Sequence, residues 1–245
     1  MKKLALTDFA KYRYPSALEL SPDSRYLTFA LKDVDREGDG YRWNLWLYDL
    51  ERRESRQITQ GDDQRKAVWE DNTHILYKTT EPDEALRARG FEEEWTVYRR
   101  LNVCTGEDRE AFRLPMSVSG LWKMDEGRYV FTGETHLDRP NLLELTGEAL
   151  EKELVRRQQT RGYKVLTELP LCENGVGMFN QTRNTLFLYL EAAGEYRRIT
   201  PEDYDVNHVN VRPGQVLFTA FPFRDVSRSP RECIAGMRSG TRRRR

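Results

Sequence analysis

One phrase of sequence recurs along this chain, and the repeat limits the possible folds more than any other feature. The phrase begins with the turn-forming run Ser21–Ser24, in which Pro22 fixes φ and the neighbouring Asp and Ser side chains bond back to the backbone. Residues 25–31 and 43–50 follow as predicted strands, the second with alternating side-chain character. A charged turn and the short run Arg56–Thr59 complete the unit.

The phrase returns at intervals of roughly 40–50 residues, the length of a four-stranded propeller blade. Later copies of its parts lie at residues 68–77, 94–108, 121–131, 184–200 and 209–219. A β-sandwich also contains short alternating strands, but nothing in a sandwich requires one phrase to recur. A radial array does, because each blade buries its faces only against its neighbours. The sequence therefore predicts an all-β fold, a partial β-propeller of about four to five four-stranded blades.

Three stretches depart from the repeat and set the predicted domain organisation. Residues 1–17 form a leading segment, and the blades occupy residues 18–223. Residues 136–159 interrupt the third unit and are predicted to be a helical insertion, because Thr146 suits an N-cap and Leu150, Leu154 and Val155 follow at helical spacing. Residues 224–245 have no period and end in four arginines, so we expect an irregular basic tail there.

The repeat resembles that of a known family. The run SPDSRYLTFALKD, followed by NLWLYDL and RQIT, is similar to the propeller repeat of the prolyl oligopeptidase family of serine peptidases, particularly its acylaminoacyl-peptidase and dipeptidyl-aminopeptidase-like members. The opening LTDFAKYRYPSALELSPD resembles the segment that precedes their first blade. The resemblance covers residues 5–225, and TolB-like and other propellers, including those with WD40-like repeats, share part of the phrase.

In that family a propeller precedes an α/β-hydrolase domain with a Ser-Asp-His triad. The resemblance implies that the propeller caps the active site and restricts access to short or unstructured peptides. A hydrolase nucleophile occupies a G-x-S-x-G turn, which exposes the serine beside backbone N–H donors. No such pentapeptide occurs among the 245 residues. We therefore expect a segment truncated before the hydrolase domain, with no catalytic residue and no activity alone.

Three consecutive glutamates, Glu92, Glu93 and Glu94, are the candidate substrate-binding residues. They follow a short predicted helix, residues 83–89, between two strands of the second unit. By the resemblance, they correspond in kind to a glutamate pair that binds the substrate's N-terminal amine in some dipeptidyl peptidases of the family. The residues alone also allow a solvated charged loop, balanced by nearby arginines: Arg87, Arg89, Arg99 and Arg100.

Composition and charge exclude several classes of function. Lys plus Arg and Asp plus Glu both number 40, so nothing draws the whole chain toward nucleic acid or an anionic membrane. No apolar run reaches the ~18 residues of a membrane helix, and charges interrupt the N-terminus where a signal peptide needs an apolar stretch. The three cysteines favour a reduced, cytoplasmic protein. The three histidines lack metal-binding spacing, so neither a metal nor a cofactor is predicted.

Two functions from different classes remain. The first is a non-catalytic propeller segment of a peptidase of this family, whose partners are its α/β-hydrolase domain and short peptides. The second is a stand-alone TolB-like propeller that acts as a protein-interaction scaffold. A fragment, unlike a closed ring, leaves blade edges with unpaired N–H and C=O groups, which favour pairing with another chain. Self-association through open blade edges is therefore a further predicted interaction.

Overall fold

The computed structural model describes residues 5, 7–35, 40–163, 165–169, 172–173, 177–178, 180–222 and 233–238. The chain divides into two units. Unit 1 spans residues 1–81 and 96–113, and unit 2 spans residues 82–95 and 114–245. A short 3₁₀ helix, Asp8–Lys11, precedes the first strand.

The first sheet lies in unit 1 and is a meander in which each strand pairs with the next. Its strands are β1 (Tyr14–Leu20), β2 (Tyr26–Asp35), β3 (Gly40–Asp49) and β4 (Glu54–Gln57). The predicted turn before β2 forms because Ser21 Oγ donates to Asp23 Oδ1 at 2.6 Å, and the same oxygen accepts from the Arg25 amide at 3.1 Å. Both strands predicted to follow that turn are present.

The second sheet repeats this order. Its strands are β5 (Ala67–Trp69), β6 (His74–Pro82), β7 (Glu94–Asn102) and β8 (Asp108–Leu114). One apolar cluster joins the two sheets, with buried side chains from both: Ala30, Leu45, Leu47, Ala67, Ile75, Tyr77, Leu101 and Val103. Every second residue of a strand points to the same face, so β2 and β3 each place alternate side chains in this core. Trp69 Nε1 also donates to the Glu19 carbonyl at 3.1 Å.

The third and fourth sheets belong to unit 2. The third contains β9 (Val118–Asp125) and β10 (Arg128–His136), and then, after an insertion with the short pair β11 (Cys172–Glu173) and β12 (Gly177–Met178), β13 (Thr182–Leu190) and β14 (Glu195–Arg198). The fourth has three strands, β15 (Tyr204–Arg212), β16 (Gln215–Pro222) and β17 (Cys233–Arg238). Their shared apolar core consists of Met124, Val130, Leu186, Leu188, Val206, Val216, Phe218 and Ala220.

Two short stretches of α-helix interrupt the sheets: α1 (Glu84–Arg87) between β6 and β7, and α2 (Gly147–Gln159) between β10 and β13. The helical insertion is thus present, but its α-helix covers only the second half of residues 136–159. The first half contains Pro140, which has no N–H to donate and disfavours helix at the preceding residue, and forms one 3₁₀ turn, Leu142–Glu144. Leu154 is buried, whereas Val155 is 52% exposed.

The predicted irregular tail requires a correction. Residues 233–238 form β17, which pairs antiparallel with β16 from Gln215 to Ala220. Strand β16 already pairs with β15, and its other edge offers unpaired backbone groups that bind a further strand without any sequence repeat. The remainder of the tail, including the four terminal arginines, lies outside the described residues.

The described residues thus form three four-stranded sheets, one three-stranded sheet and the two-stranded sheet β11–β12. The four larger sheets are the blades that the repeat predicts, and the prediction of an all-β partial β-propeller is confirmed. Within the described part of the chain, no helix has both the length and the apolar character needed to cross a membrane.

Candidate functional site

Two insertions that are far apart in sequence pack together within unit 2. The first is residues 82–95, which contain α1, and the second is residues 137–159, which contain α2; we call them together the helical cluster. Its centre is three buried leucines, one from each helical segment: Leu86, Leu142 and Leu154. Half-buried apolar residues surround them: Phe91, Leu143, Leu145 and Leu150. The candidate glutamates therefore lie on a packed support.

Asp83 fixes the conformation of the first insertion. Its Oδ1 accepts from the Leu86 amide at 3.0 Å and so caps α1, while its Oδ2 accepts from Trp95 Nε1 at 3.1 Å. Its own amide donates to the Glu93 carbonyl at 2.9 Å. The hydrogen bonds from Leu86 and Trp95 lower the pKa of Asp83, because they favour the ionised carboxylate. Asp83 thus joins the beginning of the first insertion to its end at Glu93 and Trp95.

Glu92, Glu93 and Glu94 line one cleft of about 260 Å³, together with Pro82 and Arg87. The structure therefore brings all three predicted residues to the same place. Glu92 and Glu94 are exposed, and the side chain of neither makes a hydrogen bond or ion pair with the described residues. The side chain of Glu93 is only 28% exposed, and its Oε1 accepts from Arg157 Nη1 at 2.7 Å. The three carboxylates are consequently not equivalent.

Arg157 is the functional neighbour that sequence reasoning missed. Besides Glu93, its guanidinium donates from Nε to Glu153 Oε1 at 3.0 Å and from Nη2 to the Pro140 carbonyl at 2.6 Å. Its side chain is only 15% exposed. A planar guanidinium can satisfy three acceptors that lie in one plane, which an ammonium cannot do. Since 64 residues separate it from Glu93, no local spacing pointed to this pair.

The arginines expected to balance the glutamates have other partners. Arg89 makes a two-bond pair with Glu151 at 2.7 and 2.6 Å, which joins the two insertions. Arg87 approaches Glu84 at 3.5 Å, within its own helical turn. In unit 1, Arg99 pairs with Asp108 and Arg100 with Glu70. The two exposed carboxylates of the cleft therefore remain available to a cation, with Arg87 as the one positive side chain among the five lining residues.

The described residues offer few other candidate sites. Among the described residues, no group of three His, Cys, Asp or Glu side chains is placed to hold a metal ion. His74 lies 2.9 Å from Asp71 Oδ2 and 3.1 Å from Asn102 Nδ2, so both of its ring nitrogens are engaged. His136 is engaged similarly by Thr182 and Glu134.

Comparisons with known proteins agree with this architecture. No protein-family model and no curated protein sequence matches the chain. A solved structure does: the acylaminoacyl peptidase of Pyrococcus horikoshii is 13% identical and has a TM-score of 0.63 over 96% of this chain and 33% of its own. The fold is that of a β-propeller. The same enzyme type in complex with Z-Gly-Gly-Phe-chloromethyl ketone gives a TM-score of 0.61 over 95% of this chain at 12% identity, and 32% of its own length is covered.

The propeller also resembles TolB from Acinetobacter baumannii, with 11% identity and a TM-score of 0.52 over 93% of this chain and 42% of that protein. The chain spans about a third of the length of the peptidases it matches. Identities this low show the fold alone. At that level, the resemblance found in the repeat is confirmed.

Proposed function

We propose that this chain is a non-catalytic propeller segment of a prolyl oligopeptidase-family serine peptidase, which caps a hydrolase domain and limits the peptides that reach it. The observation that carries the proposal is the match of nearly the whole chain to one third of an acylaminoacyl peptidase. The absence of a G-x-S-x-G turn from the 245 residues supports a non-catalytic role. The cytoplasmic location predicted from the cysteines belongs to the same proposal.

Within this function, Glu92 and Glu94 bind the N-terminal amine of a peptide. Two exposed carboxylates without partners among the described residues can accept charge-assisted hydrogen bonds from an ammonium group. Glu93 has a different role, because its carboxylate accepts a hydrogen bond from Arg157. That bond holds the loop on which Glu92 and Glu94 lie. Pro82 supplies an apolar wall for the first side chain of the peptide.

The amine site is tested by titrating the chain with a tripeptide that has a free N-terminus and with its N-acetylated form. Glu92→Gln combined with Glu94→Gln should weaken binding of the free amine roughly tenfold or more and leave the acetylated peptide unchanged. Glu148→Gln is the matched control, because Glu148 is an exposed glutamate at the start of α2 and outside the cleft. Equal affinity of all variants for both peptides would remove the amine site from the proposal.

The capping role needs a separate experiment. Alone, the chain should not hydrolyse aminoacyl or acylaminoacyl chromogenic substrates, and turnover that survives controls for contaminants would contradict the proposal. The nucleotide sequence downstream of the codon for Arg245 should contain a hydrolase reading frame with G-x-S-x-G. That hydrolase domain should cleave long and short peptides by itself, and short ones only when the propeller is bound.

A stand-alone interaction scaffold is the alternative, and the similarity to TolB favours it. The two functions differ in what the propeller needs as a partner. A scaffold would bind a protein unrelated to hydrolases and would leave peptide cleavage unaffected.

A further inference from the structure

The core face of the first sheet continues past the apolar core into aromatic and basic side chains. Ala30 and Leu45 lie opposite each other on β2 and β3 and are fully buried. Two residues further along β2, Lys32 lies opposite both Tyr14 of β1 and Trp43 of β3. Directly opposite residues of antiparallel strands share a face, as do alternate residues of one strand, so these three side chains lie beside the core. Together with two neighbours they form what we call the aromatic–basic patch: Tyr14, Lys32, Tyr41, Trp43 and Arg65.

The patch holds two cations over aromatic rings. The ammonium nitrogen Nζ of Lys32 lies 3.6 Å from the ring centroid of Tyr41 and 5.3 Å from that of Trp43. The guanidinium carbon Cζ of Arg65 lies 4.1 Å from the Trp43 centroid. Within ~6 Å of its centroid, an aromatic ring attracts a cation through its quadrupole. Lys32 and Arg65 therefore have defined positions, although two positive charges beside one indole ring repel each other.

The loop that carries Arg65 is fixed to the end of β3. The Trp43 amide donates to the Asp62 carbonyl at 2.9 Å, and the Gln64 amide donates to the Trp43 carbonyl at 2.9 Å. Gln64 is only 3% exposed, and its Oε1 accepts from the Gly61 amide at 2.9 Å. Arg65 therefore reaches the indole ring from a backbone that is hydrogen-bonded to the same strand.

The two cations have more hydrogen-bond donors than the described residues have acceptors for them. Within the described part of the chain, the Lys32 ammonium contacts the two rings and no carboxylate or other acceptor. The side chain of Arg65 is 63% exposed, and only its Nε donates to a described residue, to Asp63 Oδ1 at 2.8 Å. An ammonium has three N–H donors and a guanidinium has five, so most of these donors are open to a ligand. Asp33 and Asp35 alternate to the opposite face of the sheet, where each pairs with an arginine, and the patch therefore carries surplus positive charge.

We propose that the aromatic–basic patch binds an acidic peptide segment, with a carboxylate between Lys32 and Arg65. An anion placed there accepts charge-assisted hydrogen bonds from both side chains and relieves their mutual repulsion. The rings of Tyr14 and Tyr41, each residue 49% exposed, cover the apolar part of the peptide. The site is independent of the cleft formed by Glu92–Glu94, which lies in unit 2 and attracts the opposite charge.

The arrangement favours a peptide over a single-stranded nucleic acid. Proteins that bind single strands stack the bases on open aromatic faces, along a groove whose cations follow the phosphates. Here cations already lie over the rings of Tyr41 and Trp43, and the patch contains only two of them. In an extended peptide, alternate side chains lie ~6.6 Å apart on one side, so a Glu-x-Glu segment presents two carboxylates to one patch.

Fluorescence anisotropy of a peptide that contains Glu-Phe-Glu, blocked at both ends and labelled with an uncharged dye, tests the proposal in titrations with the intact chain. The blocked N-terminus keeps the amine cleft out of the measurement. The same peptide with Gln-Phe-Gln should bind roughly tenfold more weakly, and Lys32→Gln and Arg65→Gln should each raise the Kd of the acidic peptide roughly tenfold, because each change removes charge-assisted hydrogen bonds. Arg52→Gln is the matched control: the same change of charge at an arginine that is 74% exposed in the β3–β4 turn should leave the Kd unchanged.

Tyr41→Leu distinguishes a built site from general attraction between charges. It leaves the net charge unchanged but removes the ring that positions Lys32, so it should raise the Kd about threefold. Circular dichroism and thermal unfolding check that the variants are folded. Any of five results would overturn the proposal: equal affinity for the two peptides, no binding by the wild type at ~1 mM peptide, a Kd that Arg52→Gln raises as much as Arg65→Gln, wild-type affinity in Tyr41→Leu, or tighter binding of a single-stranded thymidine oligonucleotide than of the acidic peptide.

Discussion

The joint between the two sheets of unit 1 and the helical cluster of unit 2 are held together in different ways. The sheet joint consists of alternate strand residues, eight of them buried, with few charges. The helical cluster has three buried leucines and depends on ion pairs between its two insertions, Arg89 with Glu151 and Arg157 with Glu93. Regular elements thus associate by burying apolar surface, whereas the added loops associate by pairing specific charges. The two regions should respond differently to substitution and to pH.

The largest effect is expected in the sheet joint. Leu45 is fully buried, and Leu45→Ala should lower the free energy of unfolding by about 3 kcal/mol, through lost burial and the cavity left behind. Leu50→Ala is the control, because Leu50 is 42% exposed at the end of the same strand pair and should cost less than about 0.5 kcal/mol. Urea unfolding measures both. Similar losses for the two would mean that the joint does not limit stability.

In the helical cluster, the informative pair is Arg157 and Arg156. Arg157→Ala removes the partner of Glu93 and Glu153, of which the latter side chain is only 9% exposed, and should cost roughly 2 kcal/mol. The guanidinium of Arg156 bonds only Glu153 among the described residues, and its side chain is 49% exposed, so Arg156→Ala should cost roughly 0.5 kcal/mol. Hydrogen exchange should report faster opening of residues 84–93 in Arg157→Ala alone. Faster exchange confined to α2 would contradict the prediction, because it would mean that Arg157 does not hold the first insertion in place.

Helix caps give a smaller contrast inside the same cluster. Asp83→Ala removes the cap of α1 and the acceptor of Trp95, and should cost about 1 kcal/mol. Thr146 precedes α2 without a side-chain capping bond, so Thr146→Ala should change stability by less than about 0.3 kcal/mol. Thermal unfolding of the two variants measures the difference. A Thr146 effect as large as that of Asp83 would contradict the described geometry.

The smallest expected effect is on pH dependence. The hydrogen bond from Arg156, joined by that from Arg157, holds the pKa of Glu153 below its usual value despite burial, which opposes the shift. A lowered folded-state pKa contributes stability above the unfolded pKa of ~4.3 and loses it as pH falls through the folded value. Wild-type protein should therefore lose helical-cluster stability below about pH 5, and Glu153→Gln should lose less between pH 7 and pH 4. Hydrogen exchange, corrected for the intrinsic exchange rates, measures the stability of the helical cluster at each pH. Identical pH profiles of the wild type and Glu153→Gln would show that Glu153 does not contribute.

The sequence predicted the sheets better than the site. The repeated motif located the turn at Ser21, because Pro, Asp and Ser fix the conformation of the backbone next to them. Such local effects can be read from the sequence. Helical spacing predicted the inner face of α2 at Leu154 but misplaced Val155, since spacing does not say how wide the covered stripe is. The partner of Glu93 depends on tertiary packing, and a long-range ion pair has no spacing rule. Strand β17 was missed for a related reason: its partner edge, and not its own pattern, makes it a strand.

The helical cluster is assembled from loops of two different blades, and neither loop has a core of its own. Leu86 would face water if the second stretch were missing, and Leu142 and Leu154 would do so if the first were. In related propellers, the two loops should therefore be gained or lost together during evolution. Trimming only one of them to a tight hairpin would produce a protein that aggregates, whereas trimming both would restore a plain pair of blades.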